Sequence, residues 1–407
     1  MNRRDFLISQ SALGLTFLNN NISFSEVEET DSNKSVVYLF LSGGCSHIET
    51  FNPVPTAPVE IRSTTGSVQT TIPGEYIGGL HKELAKRTDD VAIVRSFSHR
   101  DSNHRSAQHL NLTGDKVVGD ASQAWPSHGS CASYSYGPNS KTGLPNYVQL
   151  NSHPHTKAAS LGQTYAGYEA SPKGLGDLSL KISVEHLNRR RMMLNMIDNN
   201  SMIKDHQMAK DYSSLREQAI NSLVGNIADI FKVEEDKQYE TFKGSALGQD
   251  LLRSIRLVEN GCKFVFLTTG GWDMHSNIEA GMKARQIPLD LYISRMLDSL
   301  KERGLDKDVL FVVTTEFGRT YKVNANAGRD HFPGNIPLLL CGGGYEMGRV
   351  IGKTNDMASE IVESPFGPKD LTCTILEHLG FKKGERWQGL DGRPHSFIDD
   401  KAQNILT

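Results

Sequence analysis

Two stretches of the chain, Ser35–Leu41 (SVVYLFL) and Val309–Thr315 (VLFVVTT), are apolar or β-branched at nearly every position. A half-buried strand alternates apolar with polar, so an unbroken run predicts a strand covered on both faces, as in a parallel sheet. Val91–Phe97, Leu144–Leu150, Lys263–Thr269 and Ile336–Cys341 read as further strands. Helical spacing of apolar positions intervenes at 215–231, 247–258 and 370–379, the last stopped by Gly380. Shorter helices are predicted around 81–88 and through Leu112, closing at Thr113-Gly114. The charged, helical block at about 184–258 reads as a cover or insertion over the sheet.

Polar residues collect just after the strands. Ser42-Gly-Gly-Cys-Ser-His47-Ile-Glu49 follows the first, and Gly270-Gly-Trp-Asp273-Met-His275 follows Lys263–Thr269. Glu316 stands immediately after Val309–Thr315, and Gly328 and Gly334 bracket Arg329-Asp330-His331. In open α/β sheets ligands bind in the crevice beyond the carboxyl ends of the strands, so these loops converge in a doubly wound sheet. Asp273 and His275, two apart in an extended loop, project to one side. Carboxylate and neutral imidazole are ordinary ligands of zinc and other transition metals. Asp273, His275, Glu316, Asp330 and His331 are therefore candidate ligands of one or two divalent ions, with zinc, manganese and calcium undistinguished.

The segment His99-Arg-Asp101-Ser102-Asn103-His104-Arg105-Ser106 opens a helix and admits two readings. Its free backbone N–H groups suit an anion. Asp101, Ser102 or Asn103 as a simple cap accounts for the same residues. His153-Pro-His155 is either a loop pair or a chelate, and His378 reads as a helix-face residue.

Across 407 residues the net charge is −3 and 38% of residues are hydrophobic, which describes a globular chain. With no long basic block, nucleic acid is not an expected partner, and Arg189-Arg-Arg191 reads as a solvated helix face. Cys45, Cys131, Cys262, Cys341 and Cys373 form no CxxC pair, so spacing indicates neither a zinc-cysteine site nor a disulfide framework. At the amino terminus Arg3-Arg4-Asp-Phe6-Leu7 leads a short apolar run to Leu18 and then an acidic linker. This is the pattern of a twin-arginine export signal. Residues 1–32 are accordingly read as signal and linker, and 33–407 as a single α/β domain. The twin-arginine export machinery is the expected partner, and the periplasm or cell surface the destination. Cleavage of the signal and its retention as an anchor both stay open.

The ordered set GGCSHIETFNP, NHRSAQHLNLTG, GSALGQDLLRSIRLVENGCKFVFLTTGGWDMHSN, TEFGRT, NANAGRDHFPGNIPLLLCGGG and DLTCTILEHLG, behind a twin-arginine start, resembles the exported family called domain of unknown function 1501. That family is placed in the alkaline phosphatase and sulfatase superfamily. The resemblance implies a three-layer α/β/α sandwich with a mostly parallel central sheet and a metal site at the strand ends. Glu316 occupies the place of a metal-binding aspartate, His331 resembles a late metal histidine, and Asp273 and His275 resemble an Asp and His ligand pair. Asp330 has no clear counterpart. His104 through Gly114 is similar to the sulfatase nucleophile helix, with His104 at the nucleophile position, so formylglycine chemistry is not implied. Ser42 stands where an aspartate is usual, with His47 or Glu49 as substitutes.

The expected function is an exported metal-dependent hydrolase of phosphate or sulfate esters. Ser102, Asn103 and His104 would face an anionic ester, which a carbohydrate-derived substrate could supply, and water rather than Ser102 would attack. The alternative is a non-catalytic exported binding or assembly protein on the same fold.

Overall fold

The strand β1 is Ser35–Leu41, and all of its side chains are buried. Burial on both faces removes any place for a polar alternate, which explains its run of Val, Tyr, Leu and Phe. The computed structural model describes residues 33–407 apart from 117–123, 138, 140–141, 171–181, 200–212, 214–215, 218, 222 and 225–226. The predicted export signal and linker, 1–32, lies outside the described residues.

Seven further strands join β1: β2 (Val91–Val94), β3 (Tyr147–Gln149), β4 (Tyr168–Glu169), β5 (Phe264–Thr269), β6 (Val309–Thr314), β7 (Leu338–Gly342) and β8 (Arg349–Ile351). Their order is β8-β2-β7-β6-β1-β5-β3-β4. β7 alone runs against its neighbours β2 and β6, and the other pairings are parallel. The chain between β6 and β7 contains no helix. A parallel return needs a long crossover, so the chain comes back antiparallel.

Helices cover both faces. α1 (His104–Thr113), α2 (His128–Tyr136) and α5 (Pro368–His378) lie on one side, and α3 (Ala246–Glu259) and α4 (Ile278–Glu302) on the other. Alternate residues of β1 divide between the two layers. Val36, Tyr38 and Phe40 pack with Leu112, Ala132, Leu371 and Ile375, whereas Val37, Leu39 and Leu41 pack with Leu251, Ile255, Leu289 and Ile293. The result is a three-layer α/β/α fold around a mostly parallel sheet. α3, from the end of the block read as a cover, is a full member of the helix layer. The helix expected around 81–88 is a 3-10 turn at Leu84–Asp90. All five cysteines are free and buried, and no helix among the described residues is long and apolar enough to cross a membrane.

Register decides what the strand ends bring together. Leu41 is abreast of Thr269 on β5, and Phe40 of Thr314 on β6. The loops starting at Ser42, Gly270 and Thr315 therefore leave the sheet side by side.

Candidate metal centre

Glu316 is fully buried two residues beyond β6 and sits at the floor of this crevice. Its carboxylate accepts hydrogen bonds from Gly43 N at 2.9 and 3.0 Å, Thr315 Oγ1 at 2.9 Å and Gln108 Nε2 at 3.0 Å. His104 Nδ1 lies 2.8 Å from Oε1. Burial would raise its pKa, but the hydrogen bond to His104 and the other donors hold it below the ordinary carboxylate value. Gly43 has φ +123°, and a Cβ there would stand 2.6 Å from Asp273 N. Only glycine lets this N–H reach Glu316 while the neighbouring loop passes so closely.

Asp273 is the meeting point above that floor. Its Oδ1 lies 3.0 Å from His275 Nε2, 3.2 Å from His331 Nε2 and 2.5 Å from Arg319 Nη2. Its Oδ2 lies 3.4 Å from His104 Nε2. Burial pushes the Asp273 carboxyl up, and the Arg319 guanidinium more than reverses this, leaving it at about 2. Arg319 is itself fully buried, donates to Gly44 O at 2.6 Å and Arg329 O at 3.1 Å, and thereby joins the loops.

The three imidazoles share one arrangement. His104 is tied at Nδ1 to Glu316, His275 at Nδ1 to Asp330 at 2.8 Å, and His331 at Nδ1 to the carbonyl of Ser102 at 2.9 Å. An oxygen acceptor at Nδ1 places the proton there and leaves an Nε2 lone pair. Each ring turns that Nε2 towards Asp273. Metal-ligating histidines are oriented in this way, by an outer acceptor on the second ring nitrogen. The contact between His275 Nε2 and His331 Nε2, at 3.0 Å, would set two lone pairs against each other. A cation drawing on the His331 lone pair resolves that opposition and leaves the His275 lone pair for a proton. One ligand atom each from His104, Asp273 and His331 lies within 4.8 Å of the others, so the residues present fit a divalent ion.

The pKa of Asp273 sets a pH dependence for the metal-free protein. Its folded value of about 2 lies below the ordinary 3.8, so its contribution to stability is present above about 4 and lost as pH falls towards 2. In chelator, wild-type protein should lose thermal stability more steeply than Asp273→Asn across that window. Parallel curves would rule out the assignment.

The other candidates are placed differently. Glu316 touches His104 and not Asp273 or His331, because backbone and side-chain donors occupy its oxygens. Asp330 orients His275. The Asn103 side chain caps α1, accepting from Arg105 N at 3.0 Å and Ser106 N at 3.4 Å, so the helix start is filled by its own cap. Ser102 offers its carbonyl to His331. His104, expected to face substrate, stands with Asp273 and His331 in the group that could hold an ion. His47 and Glu49, expected as substitute ligands, make none of the cluster's contacts. His47 is buried, with Nε2 against Ala358 O at 3.2 Å. Glu49 is paired with Arg329 at 3.0 Å, and both side chains are fully buried.

Sequence reasoning passed over Gln108 and Arg319. Gln108 follows His104 by four residues and so shares its helix face. Arg319 lies within TEFGRT, where a cation three residues after Glu316 was the available signal.

Over residues 33–407 the chain matches the family described as Protein of unknown function (DUF1501). It belongs to that family. No match to a curated protein is found. Among solved structures, this family member is similar to the lipoteichoic acid synthase LtaP from Listeria monocytogenes, at 13% identity and TM-score 0.43, over 95% of this chain and 79% of that one. It is similar to the PsFucS1 sulfatase from Pseudoalteromonas sp. at 13% identity and TM-score 0.38, over 100% and 76%. The alkaline phosphatase from the Antarctic bacterium TAB5 is similar at 11% identity and TM-score 0.32, over 86% and 98%.

Proposed function

We propose that this family member is an exported metal-dependent hydrolase of phosphate or sulfate esters. The observation that carries the reading is the set of imidazoles tied at Nδ1 to oxygen acceptors and turned at Nε2 towards Asp273. His104, Asp273 and His331 would hold the ion. Two imidazoles with one carboxylate suit zinc or another transition metal better than calcium, which takes oxygen ligands. Such an ion, when bound, polarises an ester oxygen and acidifies water.

The protein's own groups do the remaining work. Glu316 fixes the ring of His104 from behind, and Arg319 keeps Asp273 ionised. His275 has Asp330 at Nδ1 and a side chain about half exposed, 45%. That is the arrangement of a general base, so Nε2 takes the proton of the attacking water and Asp330 stabilises the resulting charge. Export rests on Arg3-Arg4 and places the reaction in the periplasm or at the cell surface.

The test is hydrolysis of aryl phosphate and aryl sulfate esters by zinc- or manganese-loaded protein. Activity is expected on at least one class. His275→Ala should lower kcat by about 10²–10⁴, the usual contribution of a general base, while retaining the ion. Replacing Arg3 and Arg4 by lysine should strand the protein in the cytoplasm on fractionation. Metal-loaded protein that cleaves no member of either class refutes the hydrolase.

A further inference from the structure

A second group of imidazoles lies outside this centre. His109 follows His104 by five residues on α1 and so faces about 140° away around the helix. There it meets His155, from the loop beyond β3, at 5.5 Å between ring centres, and His155 meets His153 at 5.6 Å. The His109 side chain is only 8% exposed, and its buried Nε2 has no hydrogen-bond partner. A buried imidazole nitrogen left unpaired loses its hydration without compensation. Such a group in a native fold calls for a ligand or a reason.

The spacing indicates which ligand. Imidazoles bound through nitrogen at about 2.0–2.1 Å to one tetrahedral ion have ring centres about 5 Å apart. The two observed separations are close to that. The ligand atoms of this group do not yet lie within the 4.8 Å that unites the first centre. His153 and His155 are half-buried loop residues, and His153 Nδ1 accepts from His155 N at 3.4 Å, which leaves its Nε2 as the ligand atom. His153 is backed by Phe40, edge-on at 5.5 Å, which gives the group an apolar wall. Burial depresses the pKa of all three rings, and the neighbouring rings take His155 further, to about 4. All are thus in the neutral form that ligates metal near pH 7.

We propose that His109, His153 and His155 form a second metal site, taking a transition-metal ion of the zinc class. Three neutral nitrogens without a carboxylate favour such an ion over magnesium or calcium.

The experiment is titration of the full-length Asp273→Ala protein with cobalt(II), followed by visible absorption. One bound equivalent with the band of tetrahedral cobalt is expected, and zinc should displace it. Adding His153→Asn and His155→Asn should remove that equivalent. These are loop positions, and His109→Gln provides an independent second variant. Absence of a bound equivalent in Asp273→Ala protein overturns the proposal, as does undiminished binding after His153→Asn and His155→Asn. Neither result depends on hydrolysis, so this site and the proposed activity fail separately.

Discussion

Asp273→Ala is expected to lose the ion held with His104 and His331, and to lose ester hydrolysis with it. Among the described residues no other side chain touches all three imidazoles of the centre, since Oδ1 meets His275 and His331 and Oδ2 meets His104. The variant also leaves the Arg319 guanidinium, 0% exposed, without its carboxylate and beside the ligands. A positive charge then occupies the neighbourhood of the incoming cation, so binding is opposed twice. Metal-ion catalysis supplies several kcal/mol of transition-state stabilisation. At 1.36 kcal/mol per decade, kcat/KM should therefore fall by at least about 10³. Asp273→Asn preserves volume and one acceptor oxygen and separates loss of charge from loss of shape. Isothermal titration with zinc, beside kinetics on the best aryl ester, measures both effects. Retention of the wild-type stoichiometry in Asp273→Ala would remove this residue from the centre.

Glu49→Leu is expected to be the most destabilising single change in the site loops. Glu49 accepts from Arg329 Nε at 3.2 Å and Nη2 at 3.0 Å, and both partners are wholly buried. Arg329 also donates to the carbonyls of Ile61 at 2.9 Å and Thr320 at 3.1 Å. It binds the segment after β1 to the loop carrying Asp330 and His331. Removing one member of a buried ion pair strands the other charge and costs about 3–5 kcal/mol. That is a large share of the 5–15 kcal/mol typical of a domain. Metal affinity should weaken as well, because Arg329 precedes Asp330 and His331 directly. Urea unfolding with chelator present gives the free energy without the ion's contribution. A loss below about 1 kcal/mol would show that the pair is dispensable.

The two effects act at different places. Asp273 faces the crevice and works by donating to an ion, whereas Glu49 lies beneath it and works by holding the loops in register. From sequence alone they looked alike, as carboxylates shortly after an apolar strand. Burial separates them. An arginine that reaches Glu49 from 280 positions along the chain gives it a partner that no local pattern could reveal. The same distinction applies to Glu316. Its position after β6 was legible, but the donors converging on it come from three separate segments: Gly43, Gln108 and Thr315. The cap at Asn103 was one of two local readings of the α1 start, and side-chain geometry chose it over the anion site.

What the chain's order of residues determined by itself was the α/β architecture, six of the eight strands of the sheet and the set of polar loops from which the centre is drawn. Those features are local. An unbroken apolar run, a glycine stop or an Asp-x-His pair owes its meaning to neighbours a few residues away. Tertiary structure decided which side chain of each loop points inward. It also decided that His104 joins Asp273 and His331, that His275 and Asp330 form a pair, and that His109 meets His155. These relations depend on strand register and helix rotation, where a shift of one residue turns a side chain to the opposite face.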